Sequence, residues 1–222
     1  TGGKVIRQLR KTIERSKDAH GQSPSDARFE YLYVDTSTDE IDKKDEWKVL
    51  GKEIDLARSQ YLINTASNVQ PVLSDPGSFP GLKEWIEPRN VFDFVNASTA
   101  GAAQRRKLGR VVFAQNAPRF VKAIEDRLSV LESAQGSKKG AVIHIVCGLA
   151  GGTGSGSIVD AVAQIRHKCA DHDLYRILIY AVIPEKNSRR VKDVSGYSNY
   201  YANGYAALSE LNALAIGTLS TT

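Results

Sequence analysis

Apolar residues in the chain follow two patterns, and segments of the two kinds alternate. Apolar side chains spaced three and four residues apart predict helices, which cover residues 4–17, 105–135, 157–170 and 201–215. Short runs that are apolar on both faces predict buried strands, at residues 29–34, 141–147 and 175–183. A charged stretch at residues 45–59 also has a helical pattern, whereas residues 60–103 are rich in loop residues and predict no definite element.

This alternation predicts an α/β fold. Helices between buried strands are typical of a mostly parallel sheet that is covered by helices on both faces, which makes a three-layer domain. Ligands of such sheets bind outside the carboxyl ends of the strands. We therefore expect the functional residues directly after the predicted strands.

Composition narrows the classes of function. The length of 222 residues suits one large α/β domain, and shares of 41% hydrophobic and 25% charged residues are those of ordinary globular chains. No window is apolar enough to span a membrane. The net charge of +5 does not by itself indicate a nucleic-acid partner. The two cysteines, Cys147 and Cys169, fit a reducing, cytoplasmic setting without disulfides.

Both ends of the sequence lie next to predicted helices. A turn before a helix normally follows a strand, so Gly2 and Gly3 lead us to expect a first strand upstream of residue 1. We likewise expect the protein to continue beyond the last predicted helix. Residues 1–222 are therefore interpreted as one domain without its first strand and its C-terminal part.

A glycine-rich turn follows the predicted strand at residues 141–147 directly. It holds four glycines in six positions, namely Gly151, Gly152, Gly154 and Gly156. Glycine lets backbone N–H groups converge, and the helix that follows directs its free N–H groups and positive dipole end at the same point. Hydroxyl donors are interleaved with the glycines at Thr153, Ser155 and Ser157. The turn therefore predicts a binding site for a chain of phosphates.

Other interpretations of this turn fit less well. A flexible Gly/Ser linker would lie between polar segments, whereas this turn joins an apolar strand to an apolar helix. The Walker motif requires Ser or Thr after Gly-Lys, but Val5 follows Gly3 and Lys4. The dinucleotide motif GxGxxG, counted from Gly152, would require glycine where Ser157 stands.

The turn resembles the GGGTGSG signature loop of the tubulin/FtsZ superfamily, with Ala150 in place of the first glycine. Weaker matches follow in the family's order along the chain. Gly2 and Gly3 resemble the end of its first loop, and Asp35 and Thr36 resemble its second loop. Gly101 and Ala102 resemble its third loop. Glu185 resembles the start of its fifth loop, and Asn203 lies on the helix behind that loop.

The resemblance implies a Rossmann-like GTPase domain that binds GTP or GDP with Mg²⁺. Gly101 and Ala102 would approach the γ-phosphate, Asp35 would lie at the metal, and Glu185 would lie near the ribose. The residues that the resemblance places at the nucleotide are Gly2, Gly3, Asp35, Thr36, Gly101, Ala102, Ala150, Gly151, Gly152, Thr153, Gly154, Ser155, Gly156, Glu185 and Asn203.

The same resemblance implies a GTPase that polymerises head to tail with copies of itself. Hydrolysis in this family is completed by acidic residues of the neighbouring subunit, so no catalytic residue is assigned within this chain. Two alternatives stay open. One is a dinucleotide-binding oxidoreductase with a divergent glycine turn, and the other is a nucleotide-binding scaffold that does not hydrolyse.

Several further side chains have two interpretations. A basic cluster could contact phosphate or form a solvated helix face, and it comprises Arg105, Arg106, Lys107 and Arg110. A second one could contact phosphate, DNA or another subunit, or lie in an exposed loop, and it comprises Arg189, Arg190 and Lys192. His144 is predicted to lie in the core, and His167 and His172 lack the spacing of a zinc site. Tyrosines that could pack on the sheet, stack on a base or contact a subunit are Tyr197, Tyr200, Tyr201 and Tyr205.

Overall fold

The computed structural model of the chain describes residues 2–17, 28–37, 42–54, 69–79, 82, 102, 104–136, 140–186 and 199–218. Their helices and strands follow one another as α1 (Gly2–Ser16), β1 (Lys48–Val49), β2 (Lys52–Glu53), α2 (Gln70–Ser74), α3 (Arg106–Gln135), β3 (Ala141–Gly148), α4 (Thr153–Lys168), β4 (Tyr175–Val182) and α5 (Tyr200–Ala215). Short 3-10 turns add Lys44–Trp47 and Pro76–Ser78.

Strands β3 and β4 form a parallel pair that helix α4 connects. Their register runs from Ala141 opposite Tyr175 to Gly148 opposite Val182. Parallel strands require a crossover connection, which α4 provides. The α/β class predicted from the alternating pattern is therefore confirmed. The three-layer sheet stays a prediction, because the parallel sheet has two strands within the described residues.

The main core lies between the parallel pair and helices α3 and α4. Phe113 and Phe120 of α3 pack edge to face at 5.1 Å between ring centroids, and Ile143 and Ile177 contact this cluster from the two strands. A second cluster joins the ends of β3 and β4 to α4 and α5 through Leu149, which is fully buried. Burial of apolar side chains in these clusters is the main favourable contribution to the stability of the fold.

Helix α3 is continuous past Pro118. Proline lacks the N–H that would bond the carbonyl of Ala114, so one helical hydrogen bond is missing there. Near the far end of the helix, Glu132 accepts a 2.5 Å hydrogen bond from the hydroxyl of Tyr175, the first residue of β4. That bond raises the pKa of Tyr175 to about 12.

The predicted charged helix at residues 45–59 is wrong for the described residues 45–54. After the 3-10 turn Lys44–Trp47, strands β1 and β2 form a hairpin whose turn holds Leu50 at φ 50° and Gly51 at φ 80°. Positive φ at both turn residues is the geometry of a tight hairpin. The apolar Trp47 and Val49, two positions apart, fill a cluster with Tyr33. Residues 55–59 lie outside the described residues.

The predicted strand at residues 29–34 is only partly realised. Tyr33 alone forms a bridge, and the other residues have no regular strand pairing in the described part of the chain. Leu32 and Val34 pack against the main core, whereas Tyr33 contacts Trp47 with ring centroids 5.2 Å apart. Side chains on both faces of this segment therefore pack against other parts of the protein, as predicted, although Phe29 at its start is 47% exposed.

Within residues 60–103, the described parts supply three buried side chains of the main core, Val72, Leu82 and Ala102. No described helix has both the length and the apolar composition that a membrane span needs.

Candidate functional site

The glycine turn lies at the carboxyl end of β3, where the sequence predicted it. Leu149 donates its backbone N–H to the carbonyl of Val182 at 2.9 Å, which ties the start of the turn to β4. Helix α4 then begins at Thr153, four residues earlier than predicted. Its first helical hydrogen bond runs from Gly156 to the carbonyl of Gly152 at 3.0 Å. The preceding amides, from Gly152 to Ser155, thus form the open N-terminus of α4.

The glycines of the turn differ in what surrounds them. A Cβ on Gly152 would lie 2.7 Å from the Cβ of Ala102, and one on Gly156 would lie 2.3 Å from the carbonyl oxygen of Arg106. Gly109 on α3 is the counterpart, because its Cβ would lie 2.2 Å from the carbonyl oxygen of Gly152. These three glycines therefore let the first turns of α3 and α4 approach each other with backbone against backbone.

Gly151 is placed differently from these three. Among the described residues, the nearest atom to a Cβ built on Gly151 is the carbonyl oxygen of Gly148, at an ordinary contact distance of 3.9 Å, so a side chain there would meet no clash. A Cβ on Gly154 would lie 3.2 Å from the same oxygen and 3.4 Å from the Cβ of Cys147. Gly151 thus borders the space beside the turn, whereas Gly154 packs on the end of β3.

Thr36 joins three parts of the chain that the sequence predicted to meet. Its hydroxyl accepts the N–H of Ala102 at 2.9 Å and lies 2.5 Å from the hydroxyl of Thr153. The carboxylate of Asp35 accepts the N–H of Thr36 at 2.7 Å and lies 3.4 Å from the Thr153 hydroxyl. Thr36 is buried, with 5% of its surface exposed. Four predicted site residues are therefore linked by hydrogen bonds at the start of α4, and Gly101 lies outside the described residues.

Helix α1 begins at the same end of β3. A Cβ on Gly2 would lie 2.3 Å from the carbonyl oxygen of Val146, and one on Gly3 would lie 3.8 Å from the ring of Tyr33. Only glycine permits this close approach at residue 2. Two helices, α1 and α4, therefore have their N-termini beside the last residues of β3, where the positive ends of their dipoles favour an anion.

Ser155 faces the protein interior. Its hydroxyl accepts a 2.8 Å hydrogen bond from the Nε of Arg106 and donates to the carbonyl of Asn203 at 3.2 Å. The hydroxyl of Ser157 donates to the carbonyl of Thr153 at 2.7 Å. Both serines are buried, so the hydroxyl donors expected from the sequence are engaged with protein groups. What Ser155 offers at the open end of α4 is its backbone amide.

Asn203 and Glu185 lie on the side of the turn that faces α5. Asn203 donates through Nδ2 to the carbonyls of Gln104 at 2.7 Å and Ala150 at 3.1 Å. Glu185 accepts a hydrogen bond from the hydroxyl of Tyr200 through its carboxylate and another from that of Tyr201, at 3.2 Å, through its carbonyl. Asn203 is thus a structural support of the turn, and Glu185 is held by two tyrosines.

Two arginines of the basic cluster pair with carboxylates, a role that neither sequence interpretation included. Arg110 donates to both carboxylate oxygens of Asp160, at 2.6 and 2.8 Å, and Arg106 donates to Glu210 at 2.6 Å. Burial nevertheless raises the pKa of Asp160, because its desolvation outweighs the attraction of Arg110. Arg105 and Lys107 are exposed.

Glu210 and Gly109 were missed in the sequence. No spacing links Glu210 to Arg106, since 104 positions separate them. Gly109 did carry a signal, because a glycine inside a helical pattern often marks close packing.

Other predicted side chains have varied outcomes. His144 is exposed and stacks on Tyr180 at 5.7 Å between centroids, so its placement in the core was wrong. The strand alternates, and position 144 falls on its outer face. His167 and His172 are exposed, and the described residues hold no cluster of three metal-ligating side chains. Residues 189–192 and Tyr197 lie outside the described residues, and Tyr201 and Tyr205 are exposed while Tyr200 is buried.

Comparison with known proteins gives one family. A family model described as "Tubulin like" matches residues 1–221, nearly the whole chain. Comparisons with curated proteins and with solved structures give no match.

Proposed function

Because the chain belongs to the tubulin-like family, whose model spans residues 1–221, we propose that it binds GTP at the carboxyl end of β3. The observation that carries this proposal is the hydrogen-bonded junction of Asp35, Thr36, Ala102 and Thr153 at the open N-terminus of α4. Phosphate oxygens accept hydrogen bonds from such amides, and the helix dipole adds a favourable charge interaction.

The phosphate chain would lie against the open amides of residues 152–155, on the side that Gly151 borders. Gly2 and Gly3 would contribute the N-terminus of α1, and Gly101 and Ala102 would face the γ-phosphate. Glu185 and Asn203 would lie toward the ribose. Asn203 is bound to backbone carbonyls, so we expect it to act mainly by holding the turn rather than by contacting the nucleotide.

A magnesium ion fits the donor set beside Thr153. The Thr153 hydroxyl lies 3.4 Å from the Asp35 carboxylate and 2.5 Å from the Thr36 hydroxyl, and all three groups offer hard oxygen ligands. Mg²⁺ is usually held by one or two carboxylates together with phosphate oxygens and water. When bound, it would neutralise the charge of the phosphates during their transfer. Asp35 would hold it directly or through water.

Hydrolysis and assembly belong to the same proposal. The chain would supply the nucleotide-binding half of a GTPase site, and the next subunit in a head-to-tail polymer would supply the acidic residues. A heterologous contact of this kind does not close and therefore produces a filament. The filament would place the nucleotide between successive subunits.

The test is nucleotide binding by the full-length protein and by a Gly151→Val variant. Valine at residue 151 would enter the space proposed for phosphate. Its Cβ has no neighbour closer than 3.9 Å among the described residues, so stability should be kept while GTP affinity falls about tenfold or more. Ser129→Val, at an exposed position of α3, is the matched control. Equilibrium dialysis with GTP measures the affinity, and sedimentation with excess GTP measures assembly.

Two results would overturn the proposal. One is a full-length protein that neither copurifies with a guanine nucleotide nor binds one when it is added. The other is a Gly151→Val variant with the GTP affinity of the unmodified protein.

A further inference from the structure

Arg106 connects three helices through one guanidinium group. It belongs to the first turn of α3, and its Nε and Nη2 donate to the carbonyl of Ser155 in α4 at 3.2 and 3.0 Å. Nε also donates to the Ser155 hydroxyl at 2.8 Å, and Nη2 donates to Glu210 of α5 at 2.6 Å. The side chain of Arg106 is 18% exposed. The guanidinium therefore forms its hydrogen bonds with protein groups behind the first turn of α4.

The geometry of this contact requires arginine. The planar guanidinium presents several N–H donors in a fixed geometry. Arg106 can therefore bond Ser155 through Nε and Nη2 and, at the same time, bond the carboxylate of Glu210 through Nη2. A lysine ammonium is a single point charge on a flexible stem and cannot reproduce both bonds at once. Ser155 is fully buried, and Arg106 donates to both its carbonyl and its hydroxyl.

Glu210 balances the charge of this arrangement. The guanidinium lies at the first turn of α4, where the positive end of the helix dipole disfavours a cation. The carboxylate of Glu210, 2.6 Å from Nη2, offsets that repulsion. Asn203, from the same helix, contacts the turn through Ala150 and accepts from Ser155 through its backbone carbonyl. Helix α5 therefore fixes the turn at two points.

We propose that Arg106, together with Glu210, is a positioning residue that fixes the first turn of α4 in the conformation that presents its amides. It acts through Ser155 and does not contact the ligand. This inference rests on the proposed function only for its effect on GTP, because the conformation of the turn can be measured without any ligand.

The first experiment is hydrogen exchange by NMR on the ligand-free full-length protein. The reporter is the amide of Gly156, which bonds the carbonyl of Gly152 and closes the first turn of α4. Arg106→Met should speed its exchange about tenfold or more. Arg110→Met is the matched control, because it also removes an arginine–carboxylate pair of α3, one turn further along. The Gly156 amide lies at a helix end and exchanges by local opening, so a global loss of stability in this control should change its exchange less than about threefold.

The second experiment compares Arg106→Lys with Arg106→Met in GTP binding. If Arg106 positions the turn, lysine fails to rescue, and both variants lose about the same affinity. If Arg106 were instead a phosphate ligand, lysine would retain most of the affinity, and the inference would be wrong. Should Arg106→Met fail to fold, Glu210→Gln supplies the same exchange measurement at a side chain that is 32% exposed.

The results separate the two proposals. Unchanged exchange at Gly156 in Arg106→Met overturns the positioning role even if GTP binds normally to the unmodified protein. Faster exchange in Arg106→Met together with no GTP binding by the unmodified protein overturns the proposed function and leaves the positioning role in place.

Discussion

The two sides of the glycine turn use similar residues for different purposes. On the inner side, Gly152 and Gly156 admit the backbone of α3, and Ser155 bonds Arg106. On the outer side, a Cβ on Gly151 would meet no described atom closer than 3.9 Å, and Thr153 meets Thr36 and Asp35. Within one short motif, some glycine and hydroxyl residues therefore pack against α3, and others lie on the side of the turn that faces the proposed ligand. A substitution in this motif tests either stability or ligand binding, depending on its side.

The largest effect is expected where the inner side is overpacked. Gly156→Ala would place a Cβ 2.3 Å from the carbonyl oxygen of Arg106, which is backbone and cannot rotate away. We expect a loss of about 2–3 kcal/mol in the free energy of unfolding, typical of overpacking. Gly151→Ala should change it by less than about 0.5 kcal/mol. Chemical denaturation of both variants measures this difference, and equal losses would show that the two sides do not differ.

A smaller loss is expected one turn further along the contact between α3 and α4. Arg110→Met leaves the Asp160 carboxylate without its bidentate partner, and each side chain of the pair is 26% exposed. We expect a loss of about 2 kcal/mol near neutral pH, below the roughly 3–5 kcal/mol of a fully buried pair. GTP affinity should hardly change, because the pair lies behind the turn.

The loss in Arg110→Met should depend on pH. Burial already raises the pKa of Asp160 in the folded protein, and removal of Arg110 raises it further. A group whose folded pKa is raised favours the fold when protonated, so stability falls as pH rises through that pKa. The variant should therefore lose less stability near pH 5 than near pH 7.5. Thermal unfolding at the two pH values measures this, and a pH-independent loss would contradict it.

A somewhat smaller loss of stability than in Arg110→Met is expected at Thr36, on the outer side of the turn. Thr36→Val keeps the shape of the side chain but removes the acceptor of the Ala102 N–H, which should cost about 1–2 kcal/mol. Thr36→Ser retains the hydroxyl and should cost less. GTP affinity should fall in the valine variant alone, since the junction with Thr153 depends on the hydroxyl. Calorimetry with GTP checks this ranking, and equal affinities in the two variants would remove Thr36 from the site.

Local patterns predicted the elements that lie within continuous periodic segments. The period of apolar residues gave α3, α4 and α5, and the two-faced apolar runs gave β3 and β4 to within a residue at each end. The hairpin of β1 and β2 was mistaken for a helix because its charged residues mask the two-residue alternation of Trp47 and Val49. The start of α4 was placed too late because glycine has a low intrinsic helix propensity.

The candidate site was predictable in part. Asp35, Thr36 and Thr153 follow predicted strands, which predicted that they meet at one edge of the sheet, and the resemblance to the tubulin/FtsZ superfamily added Ala102. The structure brings these four together. The inner support could not be found in this way. Arg106, Ser155 and Glu210 meet because three helices pack at particular rotations, and no local spacing encodes that arrangement.

Helix α3 reaches from the glycine turn to the opposite end of the sheet. Thirty helical residues span about 45 Å, so Arg106 near one tip and Glu132 near the other are held at distant parts of the parallel pair. A rigid rod would transmit a shift of the turn to Tyr175. The hydrogen bond missing at Pro118 marks the point along the helix where bending costs least, about midway between the turn and the start of β4.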